Sequence, residues 1–254
     1  MADGTGLQVE GHQWSLFLDF DGTLVEIVER PDAVVVEPAL PGLLTRLNDR
    51  LGGALALVSG RPIAFLDERL APARLDAAGL HGIERRLSGT LHPCRPEDHP
   101  ALQREIADLK RGVEADPRLI VEDKGCSVAL HWRLAPDRAA FAEGLARSIA
   151  ERLGPAYRIQ FGKAVAEILP AASGKGRVIE AFLEAEPYRG RRPLFIGDDL
   201  TDEHGFEVVN ARGGVSVRVG GGDTIAGARL ATPAAVREAL RAWASGEPMP
   251  LEAA

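Results

Sequence analysis

The sequence predicts an α/β protein whose parallel sheet is interrupted by a smaller α+β insert. Two observations predict this class. Short apolar runs recur near both ends of the 254-residue chain and alternate with stretches of helical periodicity, a pattern typical of a buried parallel sheet. The middle of the chain instead carries paired strands with alternating apolar and polar residues, a pattern typical of an open antiparallel sheet.

The first half of the predicted core is a strand–helix–strand–helix unit. Ser15–Asp21 is an apolar strand, and Ala39–Leu51 is a helix because its leucines recur on one face. The run ALALVSG (Ala54–Gly60) is a second buried strand. A helix over Arg61–Leu70 follows, in which Pro62 suits the first turn.

The insert has the predicted order α-β-β-α-β-β. Its segments are a helix over Pro100–Ala115, strands over Leu119–Lys124 and Val128–Leu134, a helix bearing Phe141, Leu145, Ile149 and Leu153, and strands over Tyr157–Phe161 and Ala164–Leu169. Gly162 and Lys163 are predicted to form the last hairpin turn. Hinges are predicted on either side of the insert, at the Pro-rich segment HPCRPEDHP and at the segment LPAAS. We therefore expect a core domain over residues 1–92 and 171–254 and an insert over 93–170.

The chain returns to the core pattern after the insert. Ser173 is predicted to cap the helix of SGKGRVIEAFLEAE, followed by strands over Arg192–Asp198 and Gly214–Gly220. Thr232 opens the last predicted helix. The C-terminal ASGEPMPLEAA has no periodicity, so we expect it to be frayed.

Composition excludes several classes of partner. A net charge of -7 argues against general binding to nucleic acid or to an anionic membrane surface. No apolar run approaches the roughly 20 residues that span a bilayer, and the start MADGTGLQVEG lacks the pattern of a signal peptide. We therefore expect a cytoplasmic protein. We also expect it to be a monomer. Cys94 and Cys126 lie in no metal-binding or CxxC spacing, so we expect both to be reduced.

Polar residues follow the ends of the predicted core strands, where ligands bind in parallel α/β sheets. These residues are Asp19, Asp21 and Thr23 after the first strand, Ser59, Gly60 and Arg61 after the second, and Asp198, Asp199 and Asp202 after a later one. Acids from two distant segments can form a hard oxygen site of the kind that Mg²⁺ prefers, with a substrate phosphate as a further ligand.

The spacing of two of these acids suits phosphoryl transfer. One carboxylate can attack phosphorus to form an aspartyl-phosphate, while a protonated neighbour donates its proton to the leaving oxygen. Asp19 and Asp21 suit these two roles. The Ser59 hydroxyl and the backbone N–H groups near Gly60 and Thr23 can hold the phosphoryl oxygens. Lys175, at a helix start, can neutralise the developing charge.

Four ordered motifs, DFDGT, LVSGR, the Lys175 helix start and GDDLTDE, resemble those of the haloacid dehalogenase superfamily of phosphotransferases. The resemblance implies a Rossmann-like core and a larger-type cap domain formed by the insert. It also implies that Asp19 is the nucleophile and Asp21 the general acid/base. In that family Mg²⁺ binds the first Asp, the backbone carbonyl of the second and an Asp of the last motif, here Asp198, with Asp199 and Asp202 as supporting acids.

The insert is similar to the cap of the trehalose-6-phosphate phosphatases. GLHGIE, EDKGCSVALHWR and GKAVAEILP match the signatures of that family. The resemblance implies that three residues bind sugar hydroxyls, namely Glu122, Lys124 and Glu167. It also implies that Arg133 and Arg61 lie near the phosphate. Leu169 stands where many members carry Arg.

The function that these patterns predict is Mg²⁺-dependent hydrolysis of trehalose 6-phosphate. The first alternative is the same chemistry on sucrose phosphate or mannosyl-phosphoglycerate. A second alternative is a catalytically silent regulatory domain, against which Asp19, Asp21, Lys175 and Asp198 argue. A phosphomutase is disfavoured, because the insert has no second basic cluster beyond Lys124, Arg133 and Lys163 for a bisphosphate.

Overall fold

A computed structural model of the chain describes residues 13–28 and 33–254, which form two compact units. The core unit joins the described part of Met1–His92 to Gly174–Ala254, and the insert unit is Pro93–Ser173. The segment MADGTGLQVEG, on which the expectation about a signal peptide rests, lies outside the described residues.

The described residues form strands and helices in regular succession. The strands are β1 (Trp14–Leu18), β2 (Leu55–Val58), β3 (Asp76–Gly79), β4 (Glu84–Leu87), β5 (Thr90–His92), β6 (Ile120–Asp123), β7 (Val128–His131), β8 (Tyr157–Gly162), β9 (Val165–Pro170), β10 (Arg192–Gly197), β11 (Val215–Val219), β12 (Ala228–Leu230) and β13 (Glu252–Ala253). The helices are α1 (Leu40–Arg50), α2 (Ile63–Arg69), α3 (Pro100–Val113), α4 (Ala139–Leu153), α5 (Lys175–Leu183), α6 (Leu200–Ala211) and α7 (Pro233–Ala244).

The core sheet has the strand order β13-β12-β11-β10-β1-β2-β3-β4-β5. Its central strands are parallel, with β1 paired to β10 on one side and to β2 on the other. All five residues of β1 and all four of β2 are buried, as expected for strands covered on both faces. Because the carboxyl ends of parallel neighbours meet at one edge, the residues that follow β1, β2 and β10 come together there.

The insert unit is an antiparallel sheet of order β6-β7-β9-β8 with two helices, which confirms the predicted α-β-β-α-β-β order. Alternate residues such as Val128, Leu130 and Ile168 pack with α3 and α4 in one hydrophobic cluster. The intervening residues point to the opposite face, because successive side chains of a strand alternate. Paired Glu122, Ala129 and Glu167 form one row on that face.

Three local predictions were wrong in detail. Gly174, not Ser173, is the N-cap residue of α5, and the Ser173 hydroxyl instead donates to the Pro170 carbonyl (2.6 Å). The last hairpin turn lies one residue later than predicted, because Gly162 still pairs with Val165. The C-terminal segment is not frayed, since Met249 is fully buried in the core and β13 pairs with β12.

The strands β3, β4 and β5 were not predicted. The sequence of β3, DAAG, has no bulky apolar residue, and that of β4, ERRL, is mostly charged. Yet Arg86 of β4 is buried, because its guanidinium is held by both oxygens of Asp67 (2.7 and 2.6 Å) and by the Leu75 carbonyl.

The prediction of two reduced cysteines was also wrong. Cys94 and Cys126 are joined by a disulfide across 32 residues of sequence, within the insert unit. The turn between β6 and β7 carries Cys126 to Cys94, a proximity that their sequence spacing does not reveal.

None of the helices in the described ranges has the length and apolar composition needed to cross a membrane.

Candidate active site

Three carboxylates meet at the carboxyl edge of the core sheet. Asp19 directly follows β1, Asp198 directly follows β10, and Asp202 lies in the first turn of α6. One carboxylate oxygen from each of the three lies within 4.8 Å of the other two, and Asp19 and Asp202 are buried. Three acids this close repel one another unless cations or protons compensate their charge.

Lys175 supplies one compensating charge. It begins α5, is 4% exposed, and places Nζ 2.8 Å from Asp19 Oδ1 and 2.7 Å from Asp202 Oδ1. Burial alone would lower the pKa of Lys175, but Asp19 and Asp202 raise it well above its ordinary value. Lys175 is therefore a permanent cation, which holds one oxygen of Asp19 in place.

The cluster still has more acids than cations. Burial raises the pKa of Asp19 well above its ordinary value, although Lys175 opposes this shift. Burial, together with the nearby Asp202, raises the pKa of Asp198 to about 6. A set of carboxylate oxygens with surplus negative charge is the donor set that a hard divalent cation takes. The residues present therefore fit a metal ion of this kind.

The start of α6 fixes two of the predicted acids. Asp202 Oδ2 accepts hydrogen bonds from the backbone N–H of Asp198 (3.1 Å) and of Asp199 (2.9 Å). Asp199 is the N-cap residue and accepts from the backbone N–H of Leu200 (2.6 Å). Asp202 thus belongs both to the carboxylate cluster and to the helix cap, whereas the Asp199 carboxylate faces the helix end.

A glycine that the site prediction omitted makes room for Asp198. Gly22, in DFDGT, has a φ of 77°, and a Cβ there would lie 2.1 Å from Asp198 Oδ2. Any other residue would displace this carboxylate and would also strain the backbone. The glycine of the motif is therefore part of the carboxylate site.

Asp21 lies outside the carboxylate cluster. Its two oxygens accept a bidentate pair from Arg61, with both N–O distances at 2.7 Å. The Arg61 guanidinium also stacks on the Phe65 ring, 4.6 Å from its centroid. The structure thus joins the first and second motifs through an ion pair that was not predicted, although both residues were singled out.

The remaining predicted core residues line the two turns after β1 and β2. Ser59 is buried, and its Oγ accepts from the backbone N–H of Arg61 (3.1 Å). A Cβ at Gly60 would lie 2.8 Å from Nε2 of His81. The Thr23 hydroxyl is buried and has no hydrogen-bond partner among the described residues. A buried hydroxyl without a partner is costly, so a ligand oxygen that bonds to it would be stabilising.

A second polar cluster lies on the helix-free face of the insert sheet. Glu167 is 7% exposed; its Oε2 lies 3.1 Å from Lys124 Nζ, and its Oε1 accepts from the Ser127 hydroxyl (2.8 Å). In the same row, Glu122 lies 2.9 Å from His131 Nε2. The hydrogen bond from His131 lowers the pKa of Glu122.

Sequence reasoning named Glu122, Lys124 and Glu167 but not Ser127. Ser127 lies directly before β7 and two residues before Ala129, a spacing that could have indicated that it shares their face. Arg133, which follows β7, is exposed, and Leu169 is fully buried.

Comparisons with known proteins show which sequences and folds this chain resembles. A family model described as trehalose-phosphatase matches residues 17–230. The chain is 45% identical over 217 residues to a probable trehalose-phosphate phosphatase of Sinorhizobium fredii, covering 85% of this chain and 81% of that protein. It is 43% identical over 221 residues to the trehalose-6-phosphate phosphatase of Escherichia coli, covering 86% and 82%.

Solved structures are similar in fold. The C-terminal domain of Candida albicans trehalose-6-phosphate phosphatase has a TM-score of 0.79 at 24% identity, covering 92% of this chain and 93% of that one. The C-terminal domain of a Candida albicans trehalose synthase regulatory protein has a TM-score of 0.66 at 14% identity, covering 87% and 92%. At these identities, the two similarities show the fold alone.

Proposed function

The chain belongs to the trehalose-phosphatase family of phosphoric monoester hydrolases, and we propose that it hydrolyses trehalose 6-phosphate to trehalose and phosphate. The observation that carries the proposal is Asp19, a buried carboxylate with one oxygen fixed by Lys175 at the ligand-binding edge of the sheet. A fixed carboxylate at this edge is suited to attack a phosphoryl group.

In the proposed reaction, Asp19 attacks phosphorus, an aspartyl-phosphate forms, and the bond to the sugar oxygen breaks. Asp21 donates a proton to that leaving oxygen and then accepts one from the water that hydrolyses the intermediate. The position of Asp21 outside the carboxylate cluster supports this assignment, because it leaves Asp21 for a role other than metal binding by its carboxylate. The ion pair with Arg61 favours the ionised carboxylate, so this pair must open before Asp21 can carry a proton. We infer that Arg61 turns to the phosphate when substrate binds.

The phosphoryl oxygens are bound by three groups of the core. The Thr23 hydroxyl has no other partner among the described residues, and Ser59 and the Gly60 backbone lie in the neighbouring turn. Lys175 stabilises the charge that develops on the transferring group.

We propose Mg²⁺ as the metal. Asp19 and Asp198 would hold it together with the backbone carbonyl of Asp21, supported by Asp202 and Asp199. Bound there, Mg²⁺ would neutralise the phosphate and the surplus charge of the acids. The donor set of carboxylate oxygens supports this choice over softer metals.

Glu122, Lys124 and Glu167 are proposed to bind the sugar hydroxyls, with Arg133 as an additional phosphate contact. Their support is the cluster on the insert sheet, in which Glu167 pairs with Lys124 and Glu122 is hydrogen-bonded to His131. Such groups suit a polyol, because each acid can exchange a hydrogen bond to its partner for one to a sugar hydroxyl. No observation favours sucrose phosphate, mannosyl-phosphoglycerate or a silent regulatory role.

Phosphate release across a panel of phosphosugars tests the proposal. Trehalose 6-phosphate should give the highest kcat/KM, ahead of sucrose phosphate, mannosyl-phosphoglycerate and a small aryl phosphate. The Asp19→Asn variant serves as the background control. A higher kcat/KM for another phosphosugar would overturn the substrate assignment, and no release from any substrate would support the regulatory alternative.

We further propose that the enzyme works in the cytoplasm as a monomer. The acidic net charge supports the absence of nucleic-acid partners. Light scattering on the purified protein tests the monomer, and fractionation of cells tests the location.

A further inference from the structure

The turn between β6 and β7 carries two groups that hold Glu167. This turn, residues 123–127 (DKGCS), contributes Lys124 Nζ at 3.1 Å from one oxygen of Glu167. It also contributes the Ser127 hydroxyl, which donates to the other oxygen (2.8 Å). Any displacement of the DKGCS turn therefore moves these two partners of a buried carboxylate at once.

The DKGCS turn is tethered to a distant part of the insert. Cys126 is fully buried and is joined by the disulfide to Cys94, which follows the start of the insert unit at Pro93. Gln103 of α3 donates to the Gly125 carbonyl (2.5 Å). Gly125 packs closely beside the bridge, since a Cβ there would lie 3.4 Å from Cys94 Sγ.

We propose that the Cys94–Cys126 disulfide is a positioning element of the sugar-binding cluster, which fixes Lys124 and Ser127 against Glu167. This proposal rests on the proposed function. The disulfide touches neither phosphate nor sugar; it acts through the turn to which it is covalently joined. Specificity for the disaccharide phosphate then depends on the oxidation state of this cysteine pair.

The physical reason is that Glu167 is almost fully buried and that the turn supplies two of its partners, Lys124 and Ser127. If the turn moves, the carboxylate loses pairing that burial makes necessary. Groups that orient a substrate are sensitive to small displacements, and a shift of about 1 Å can cost a large factor in rate. Hydrolysis of a substrate without the sugar does not use these groups and should not respond.

The tether is reversible by ordinary thiol chemistry. A dithiol reductant attacks the sulfur of Cys94, the less buried of the two cysteines, and the sulfur of Cys126 leaves as a thiolate. The second thiol of the reductant then attacks the mixed disulfide. The products are two cysteine thiols and an oxidised cyclic reductant, so two electrons and two protons pass to the protein.

The test compares oxidised and dithiothreitol-reduced wild-type enzyme on two substrates. Peptide mapping first identifies the Cys94–Cys126 bridge. Reduction should then lower kcat/KM for trehalose 6-phosphate by about tenfold, mainly through KM, and leave hydrolysis of a small aryl phosphate unchanged. Reoxidation should restore the lost activity.

The matched control is the Cys94→Ser, Cys126→Ser double variant, which should have the low kcat/KM of the reduced enzyme and no response to dithiothreitol. Equal losses on both substrates would assign the disulfide a general structural role and overturn the proposal. So would free thiols in the purified protein, or equal trehalose 6-phosphate hydrolysis by both forms. An enzyme that hydrolyses aryl phosphate but not trehalose 6-phosphate in either form would overturn the proposed function and this proposal with it.

Discussion

The carboxylate cluster of the core and the polar cluster of the insert differ in how the negative charge of their acids is offset. In the core, Asp19, Asp198 and Asp202 share Lys175 as the one cation within the cluster among the described residues, so negative charge is left over. In the insert, each acid has its own partner: Glu167 pairs with Lys124, and Glu122 is hydrogen-bonded to His131. The difference teaches that an excess of acids suits a cation and a phosphate, as proposed for the core, whereas acids with one partner each suit hydroxyl groups, as proposed for the insert.

The largest expected effect comes from removing the charge at the centre of the core cluster. Asp19→Asn should lower phosphate release by about 10⁴-fold or more, because the amide cannot attack phosphorus. Asp49→Asn is the matched control: it makes the same change at an exposed acid of α1, which belongs to neither cluster. Steady-state assays should show little loss in the control. Comparable losses in both variants would mean that Asp19 is not the nucleophile.

The surplus charge of the core also predicts a strict need for a cation. Chelation should lower activity by about 10³-fold, and added Mg²⁺ should restore it, since removal of the metal leaves phosphate facing uncompensated carboxylates. Activity titrated against free Mg²⁺ measures this dependence. Full turnover in excess chelator would show that the acids of the core cluster need no metal ion, and would contradict the proposed difference between the two clusters.

Changes in the insert should alter specificity rather than chemistry. Replacing Glu122, Lys124 or Glu167 with Ala should lower kcat/KM for trehalose 6-phosphate by roughly 10²-fold or more, or about 3 kcal/mol in the transition state. A small aryl phosphate should be hydrolysed about equally by wild type and variants, because it makes none of these contacts. Parallel losses on both substrates would point to folding instead. No loss on trehalose 6-phosphate would mean that the insert recognises a different sugar.

The smallest effect concerns stability and pH. Because burial raises the pKa of Asp198 to about 6, the metal-free folded state binds a proton there that the unfolded state has released. This proton makes stability fall as pH rises from about 4 to 6, with a total contribution of about 3 kcal/mol. Asp198→Asn lacks this titration, so its advantage over wild type should grow across that range and level off above it. Denaturant unfolding in excess chelator measures the difference, and an advantage independent of pH would contradict the assignment.

Much of this contrast could be predicted from the sequence, because strongly apolar strands and ordered acidic motifs are local signals. The strands β1, β2 and β10 were predicted within a few residues, and each acid of the carboxylate cluster had been named. What was missed depends on tertiary contacts. Short β3 and β4 lack apolar runs and are held by partners such as Asp67 for Arg86.

The missed features of the two clusters have the same origin. The Asp21–Arg61 pair joins residues 40 apart, and the disulfide joins residues 32 apart, so neither has a spacing signature. Ser127 was overlooked because a serine beside a turn is ordinary until its Glu167 partner is known.

The pairing of β13 with β12 has a consequence for self-association. Strand β12 is only three residues long, and without β13 one of its sides would offer unpaired backbone groups to other strands. Glu252–Ala253 cover that side with a strand too short to recruit another chain, and Glu252 adds a charge that disfavours stacking. Strand β13 thereby protects the core sheet from edge-to-edge aggregation.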